Sequence, residues 1–387
     1  MIIKNICIIS QKYPSEKRIV YTFLEQLVNK FCDYDINCYV IAPQSLTQAV
    51  VRKIPINKRK YYRYNENKKK VTIYSPYYLT YSSFTKKIFY VNLFNFENAV
   101  ESVFKKLNKE IKFDVIYAHF INPAAIAANK LGKKYHIPVF FAYGEDTDFT
   151  IVRFGKDKTR VLLDGIKGVI SVSESNKKRL IDNNVVNENL IEVFPNGINS
   201  KIFYKKNKLE MRKKYGYSKN DFIVIFVGRF IEAKGIERLC CALKKINNNN
   251  IKAIFIGDGQ LKPDYQNIIF EGKVEHDIVS DYLSLSDIFV LPTRAEGCCN
   301  AIIEALACGL PVISSNKSFN DEILNDDCSI RINEMDIDEI KNAIIELYND
   351  KKKRERFSIA ALEKAKQLNI DNRAKNILDF MEKNIKR

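Results

Sequence analysis

The sequence has 387 residues, 46% hydrophobic and 28% charged, a globular composition long enough for two cores of ordinary size. No stretch reaches the ~20 apolar residues that span a bilayer. The nine cysteines form no C-x-x-C pair and the three histidines (His119, His136, His276) lie far apart, so a Cys/His metal centre has little support.

The net charge of +17 is unevenly spread: residues 1–200 hold 31 basic and 18 acidic side chains, the remainder 32 and 28. Biased codon usage would raise lysine in both halves, so the asymmetry points to an anionic partner of the first half.

The opening IIKNICIIS reads as a buried strand (3–10) rather than a signal peptide, which places the protein in the cytoplasm. Further strands follow at 36–42, 70–76, 114–120, 138–143, 168–173 and 190–195, with helical stretches at 20–32, 88–109, 123–135 and 174–183. Residues 52–84 carry nine basic side chains against one Glu66, interleaved with Tyr61, Tyr62, Tyr64, Tyr74, Tyr77, Tyr78 and Tyr81. Basic residues with interfacial aromatics suit an anionic membrane surface. A solvated charged loop is the plainer reading. Nucleic-acid binding is not expected, because no recognisable nucleic-acid fold surrounds the segment.

After FPNGI, residues 199–221 are polar and helical without a strand, which marks a domain boundary. Strands resume at 222–228, 251–257, 267–272, 287–292 and 311–315, punctuated by helices at 235–246, 277–285, 300–308 and 336–348; 351–387 is mostly charged helix. Apolar strands alternating with helices, twice over, predict an α/β protein of two Rossmann-like domains. We expect domains at 1–200 and 201–370, with 371–387 as a helix packing back on the first.

Four pieces of the second half fall at strand ends. VGRFIEAKG places Gly228 and Arg229 after a strand and Lys234 before a helix; fixed cations beside a helix N-terminus suit a diphosphate, and a surface ion pair is the competing reading. IGDG ends a strand on Gly257 and Gly259, which let a backbone approach a ligand or simply form a tight turn. In EGCCNAIIEALACGLPVI, Glu296 and Gly297 precede a helix and Glu304 lies about one turn inside it. The amides of Cys299, Asn300 and Ala301 then point from the helix N-terminus toward a ligand.

FPNGI (194–198), VGRFIEAKG (227–235), IGDG (256–259) and EGCCNAIIEALACGLPVI (296–313) together resemble the C-terminal signature of the retaining glycosyltransferases of family 4, the group 1 glycosyl transferases. The resemblance implies the GT-B fold, two Rossmann-like domains facing each other across a cleft, the domain at 1–200 binding the acceptor and that at 201–370 the nucleotide sugar. It also implies Arg229 and Lys234 on the donor diphosphate, Glu296 under the transferred sugar, and Glu304 on the ribose. Gly228, Gly257, Gly259, Gly297, Cys299, Asn300 and Ala301 would line the donor site. The donor would be a UDP- or GDP-sugar, with no cofactor and no metal. Retention by front-face attack would need no dedicated protein base.

The first half resembles the family more loosely. In CIISQKYPSEKRIVYTFLEQLV the usual loop glycine is missing, with Val20 or its neighbours in its place. In DVIYAHFINPAAIAANKLGKKYHIPVFFAYGED, Tyr143 replaces a common histidine while Gly144 and Asp146 are kept, and the carbonyl of Tyr143 is left as a possible sugar contact. His119 is either a cleft-lining or a structural side chain.

The expected function is sugar transfer to a glycan or polyprenyl-diphosphate-linked acceptor, in surface polysaccharide or glycolipid synthesis, peripherally at the inner face of the cell membrane. A sugar-nucleotide epimerase or phosphorylase, or a non-catalytic membrane-docked scaffold, are the alternatives.

Overall fold

The computed structural model describes residues 2–82 and 85–386; positions 83 and 84 of the basic–aromatic segment fall outside them. The chain forms two compact units, Met1–Phe194 with Ile370–Arg387, and Pro195–Asn369. The first boundary lies earlier than the 200 read from sequence, because the second unit holds the end of FPNGI. There the Ile198 N–H donates to the Leu368 carbonyl at 2.7 Å.

The first unit contains β1 (Asn5–Ile9), α1 (Thr22–Asp33), β2 (Asn37–Ile41), β3 (Gln44–Ser45), α2 (Leu46–Val51), β4 (Lys60–Tyr64), β5 (Lys70–Tyr74), β6 (Tyr77–Tyr78) and α3 (Lys86–Leu107). It continues with β7 (Val115–His119), α4 (Ile126–Tyr135), β8 (Val139–Tyr143), α5 (Phe149–Phe154), α6 (Lys156–Leu162), β9 (Gly168–Ser171), α7 (Glu174–Asp182) and β10 (Ile191–Val193). Eight strands form one sheet in the order β10-β9-β8-β7-β1-β2-β5-β4. All neighbours in it are parallel except β4 against β5.

Continuous apolar runs such as NICII and VFFAY are buried on both faces, as parallel strands under two helical layers must be. The antiparallel β4 lies inside the basic–aromatic segment beside the expected strand there, β5, at 60–64 where only charged and aromatic residues stand. Lys60, Tyr62 and Tyr64 point outward, and Lys60 and Lys70 approach the Tyr62 ring to 5.7 and 5.1 Å. A lysine-bearing edge of this kind discourages further strand pairing.

The last helix of the chain, α14 (Ile370–Ile385), belongs to this first unit. Its stripe of Ile370, Ala374, Ile377, Leu378 and Met381 is buried with Leu24, Leu27 and Phe31 of α1. The Phe380 ring meets Phe140 at 6.0 Å and Phe194 at 5.6 Å.

The second unit comprises α8 (Lys208–Tyr215), β11 (Phe222–Val227), α9 (Ile236–Ile246), β12 (Ile251–Ile256), β13 (Ile268–Gly272), α10 (His276–Leu285), β14 (Ile288–Leu291), α11 (Asn300–Ala307), β15 (Val312–Ser315), β16 (Ser329–Ile332), α12 (Ile337–Asn349) and α13 (Lys351–Gln367). Its sheet is wholly parallel in the order β13-β12-β11-β14-β15-β16. The short edge strand β16 was not read from sequence, since SIRI offers one apolar position in two and no long run. Both sheets reverse direction beside their first strand, at β1/β7 and at β11/β14. In open α/β sheets ligands bind at the carboxyl ends of strands at such a point.

Candidate active site

The expected donor residues gather at the β11/β14 reversal. β11 ends at Val227, and Gly228 and Arg229 follow directly; a short turn, Glu232–Lys234, then leads into α9. β14 ends at Leu291 and continues into Pro292–Gly297. Backbone and side-chain bonds lock these loops together: the Arg294 N–H donates to the Ala233 carbonyl at 2.8 Å, and the Thr293 hydroxyl reaches the Ala233 and Ala295 carbonyls at 3.3 Å each.

This clamp puts the Lys234 ammonium in a hydrogen-bonded ion pair with the Glu296 carboxylate, their side chains 11% and 12% exposed. Arg229, by contrast, is exposed, and its guanidinium has no ion pair or hydrogen bond among the described residues. A paired Lys–Glu beside an uncommitted Arg is a site with one cation fixed and one free to meet an anion.

Gly257 and Gly259 have a use that sequence did not reveal. A Cβ on Gly257, whose φ is +147°, would sit 1.9 Å from the Gly228 carbonyl oxygen; one on Gly259 would sit 2.2 Å from that of Phe230. The glycines let the loop after β12 lie directly against the loop after β11, and the Phe230 N–H donates to the Asp258 carbonyl at 2.7 Å. They shape the site by backbone-to-backbone approach.

α11 starts at Asn300 behind Cys299, with Gly297 buried just before it. The Asn196 side-chain amide donates to the Cys298 carbonyl at 3.2 Å and to the Asn300 side-chain oxygen at 2.9 Å, fixing the loop at the helix start. Sequence reading assigned Asn196 no role, although FPNGI contains it. Gly309, at φ +73°, closes the helix in the left-handed conformation that a C-terminal glycine supplies.

Glu304 is buried on α11 and accepts from, or shares a proton with, His276 Nε2 at 3.1 Å. Burial alone would lower the His276 pKa, but the hydrogen bond and charge of Glu304 outweigh it and raise the value. The imidazole edge also packs on Phe203 at 5.1 Å between ring centroids. No local motif connects positions 276 and 304, so this partnership was invisible in the sequence.

The first-unit candidates are placed differently. Tyr143 is fully buried, and its carbonyl accepts the Val172 N–H at 3.0 Å, just beyond the β8–β9 ladder. Its ring is a core side chain. His119 is 4% exposed among Phe23, Phe120 and Tyr21, with ring centroids at 5.0, 4.5 and 6.4 Å. Burial and the nearby Arg373 charge push its pKa down to about 3, so it is neutral. Asp146 is exposed.

Between Gly144 and Asp146 lies Glu145, which sequence reading passed over. Its carboxylate accepts the Ile121 N–H at 2.9 Å, tying the loop after β8 to the loop after β7. Burial pushes its pKa up to about 7 against the lowering effect of that bond, Thr150 and Arg179. The left-handed backbone of the loop after β1 falls on Tyr21, at φ 54°, next to Val20. Among the described residues, no three His, Cys, Asp or Glu side chains cluster in a way that would hold a metal ion.

Residues 207–364 match the family model for glycosyl transferases group 1, and residues 67–201 that for glycosyltransferase family 4. The chain is 28% identical over 326 residues to the putative teichuronic acid biosynthesis glycosyltransferase TuaC of Bacillus subtilis, covering 80% of each chain. It is 28% identical over 271 residues, 65% of this chain and 70% of the other, to the UDP-Gal:alpha-D-GlcNAc-diphosphoundecaprenol alpha-1,3-galactosyltransferase of Escherichia coli. Among solved structures, Anabaena HepE in complex with UDP is similar with a TM-score of 0.74 at 17% identity, over 98% of this chain and 100% of that one. At such identity the likeness is one of fold.

Proposed function

Because the chain belongs to the group 1 glycosyltransferases of family 4 and has their GT-B fold, we propose that it transfers a sugar from a UDP- or GDP-sugar to a glycan or lipid-linked acceptor in surface polysaccharide or glycolipid assembly, retaining anomeric configuration. The observation that carries this reading is the convergence of Arg229, Lys234, Glu296 and Glu304 at the carboxyl edge of one sheet. The UDP held by HepE supports the donor class. The names of TuaC and the diphosphoundecaprenol-dependent relative support the acceptor class.

Glycosyl transfer develops positive charge on the sugar and negative charge on the departing diphosphate. Arg229 meets the diphosphate, and Lys234, already oriented by Glu296, adds a second positive charge at the same edge. Preorganised charge where the transition state needs it is the largest available catalytic contribution. Glu296 accepts hydroxyls of the transferred sugar, and Glu304 accepts those of the ribose. In this reading the leaving phosphate takes the acceptor's proton, and the two cations make a metal unnecessary.

Glu304→Ala tests the donor site. A charge-assisted hydrogen bond is worth about 1.5–3 kcal/mol, so UDP or GDP should bind roughly 10- to 100-fold more weakly by calorimetry. In Glu304→Gln the His276 pKa should also fall, followed by NMR, because the charge that raises it is gone. Unchanged nucleotide affinity in Glu304→Ala would remove the ribose assignment.

We also place the protein peripherally on an anionic membrane. No helix among the described residues is long and apolar enough to cross one. The first unit exposes Tyr62, Tyr64 and Tyr81 among the lysines of the basic segment, and Phe94 on α3. Each basic residue near an anionic bilayer contributes about 1 kcal/mol. Flotation should therefore show stronger binding to phosphatidylglycerol vesicles than to phosphatidylcholine; equal partitioning would overturn the placement.

A further inference from the structure

The Glu304 carboxylate has a partner that lies outside every motif of the donor loops. His276 opens α10, and its Nε2 lies 3.1 Å from Glu304 Oε1 on α11. The two helices are joined again four residues further along each, where the Cys308 thiol donates to the Ser280 carbonyl at 3.9 Å. The imidazole is itself held in place: its ring packs against Phe203, a fully buried side chain, at an interplanar angle of 71°.

A carboxylate only accepts, through two oxygens. Among the described residues Glu304 has no other side-chain hydrogen bond, so His276 takes one oxygen and the second stays uncommitted. The last torsion of a glutamate is soft, and a carboxyl group without this bond would present neither oxygen in a fixed direction. Charge points the same way. Of the four donor residues two are cations and two are carboxylates, and Lys234 is already paired with Glu296. Burial disfavours a charged imidazole, yet Glu304 and the nearby Asp277 raise the His276 pKa. A proton on His276 balances Glu304 and leaves Arg229 as positive charge available to an anionic ligand.

We infer that His276 is a positioning residue for the nucleotide, holding Glu304 Oε1 so that the second oxygen is fixed to receive the ribose hydroxyls. An acceptor oriented before the ligand arrives loses less freedom on binding. The inference rests on the assignment of Glu304 to the ribose, and it adds a residue of α10 that acts through Glu304.

The probes are UDP and GDP, each with its 2′,3′-dideoxy analogue, titrated by calorimetry into the full-length protein. Wild type should bind the ribonucleotide about tenfold or more tightly than the analogue, and Glu304→Ala should abolish the difference. His276→Ala should remove most of the same preference while leaving the affinity for the analogue unchanged, which also shows that the site is still folded. His276→Gln places an amide nitrogen at the reach of Nε2 and should restore most of the preference. Damage to packing alone would weaken both nucleotides alike and would not be rescued by glutamine.

A ribose preference that survives in His276→Ala but is lost in Glu304→Ala overturns the inference and leaves the ribose assignment standing. A loss in His276→Ala shared equally by the dideoxy analogue overturns it too, since the role would then be structural. Wild type that binds both forms of a nucleotide equally strikes the ribose assignment and this inference with it. Wild type that binds neither UDP nor GDP strikes the donor reading as well.

Discussion

Arg229→Gln is expected to lower kcat for nucleotide-sugar turnover by about 10²–10³-fold without changing the melting temperature. The guanidinium is exposed and makes no bond to the protein among the described residues, so folding loses nothing when it is removed. Lys234→Met should lower activity by a similar factor and, in addition, destabilise the protein. Its ammonium is the partner of Glu296, whose side chain is 12% exposed, and removing one member of a buried pair strands the other charge at a cost of about 3–5 kcal/mol.

The double variant Lys234→Met/Glu296→Gln should regain much of that stability and none of the activity, because the stranded charge is gone but so is the catalytic cation. Urea unfolding and initial rates on the same preparations make the comparison. Full activity in Arg229→Gln would contradict its role on the diphosphate. Equal stability of Lys234→Met and wild type would mean that the ion pair contributes nothing to the fold.

The second large effect concerns pH. Stability should fall as pH rises from about 4.5 to 7, and Glu145→Gln should remove that fall. Burial raises the Glu145 pKa from 4.5 to about 7, so in this window the folded chain binds a proton that the unfolded chain has lost. The advantage is complete below 4.5 and is lost as pH passes the folded value, a difference of about 3 kcal/mol at most. Glutamine keeps an oxygen for the Ile121 N–H and carries no charge. Its stability should match wild type near pH 4.5 and exceed it increasingly toward pH 8. Parallel unfolding curves at pH 5, 6 and 8 would rule the effect out.

Glu145 shows how far sequence reading reaches. Gly144 and Asp146 stood out because they fit a pattern, whereas the residue between them carries the shifted pKa and the bond across two loops. A burial environment is built by segments far apart in the chain, and no local pattern encodes it.

The alternation of apolar strands and helices, repeated on either side of FPNGI, determined two parallel α/β sheets, because burial on both faces writes itself into every strand. The spacing of VGRFIEAKG, IGDG and EGCCNAIIEALACGLPVI likewise determined the family and put Arg229, Lys234 and Glu296 in the loops after strands and Glu304 on the helix that follows. Which of these side chains bond to each other was decided only by tertiary structure. Lys234 met Glu296, Glu304 met His276, and Gly257 proved to serve a neighbouring backbone. Tyr143 went into the core, and the basic segment contributed an edge strand. Periodicity is a property of neighbouring residues, so sequence carries it; pairing across loops depends on how the strands are ordered in the sheet, which local periodicity does not encode.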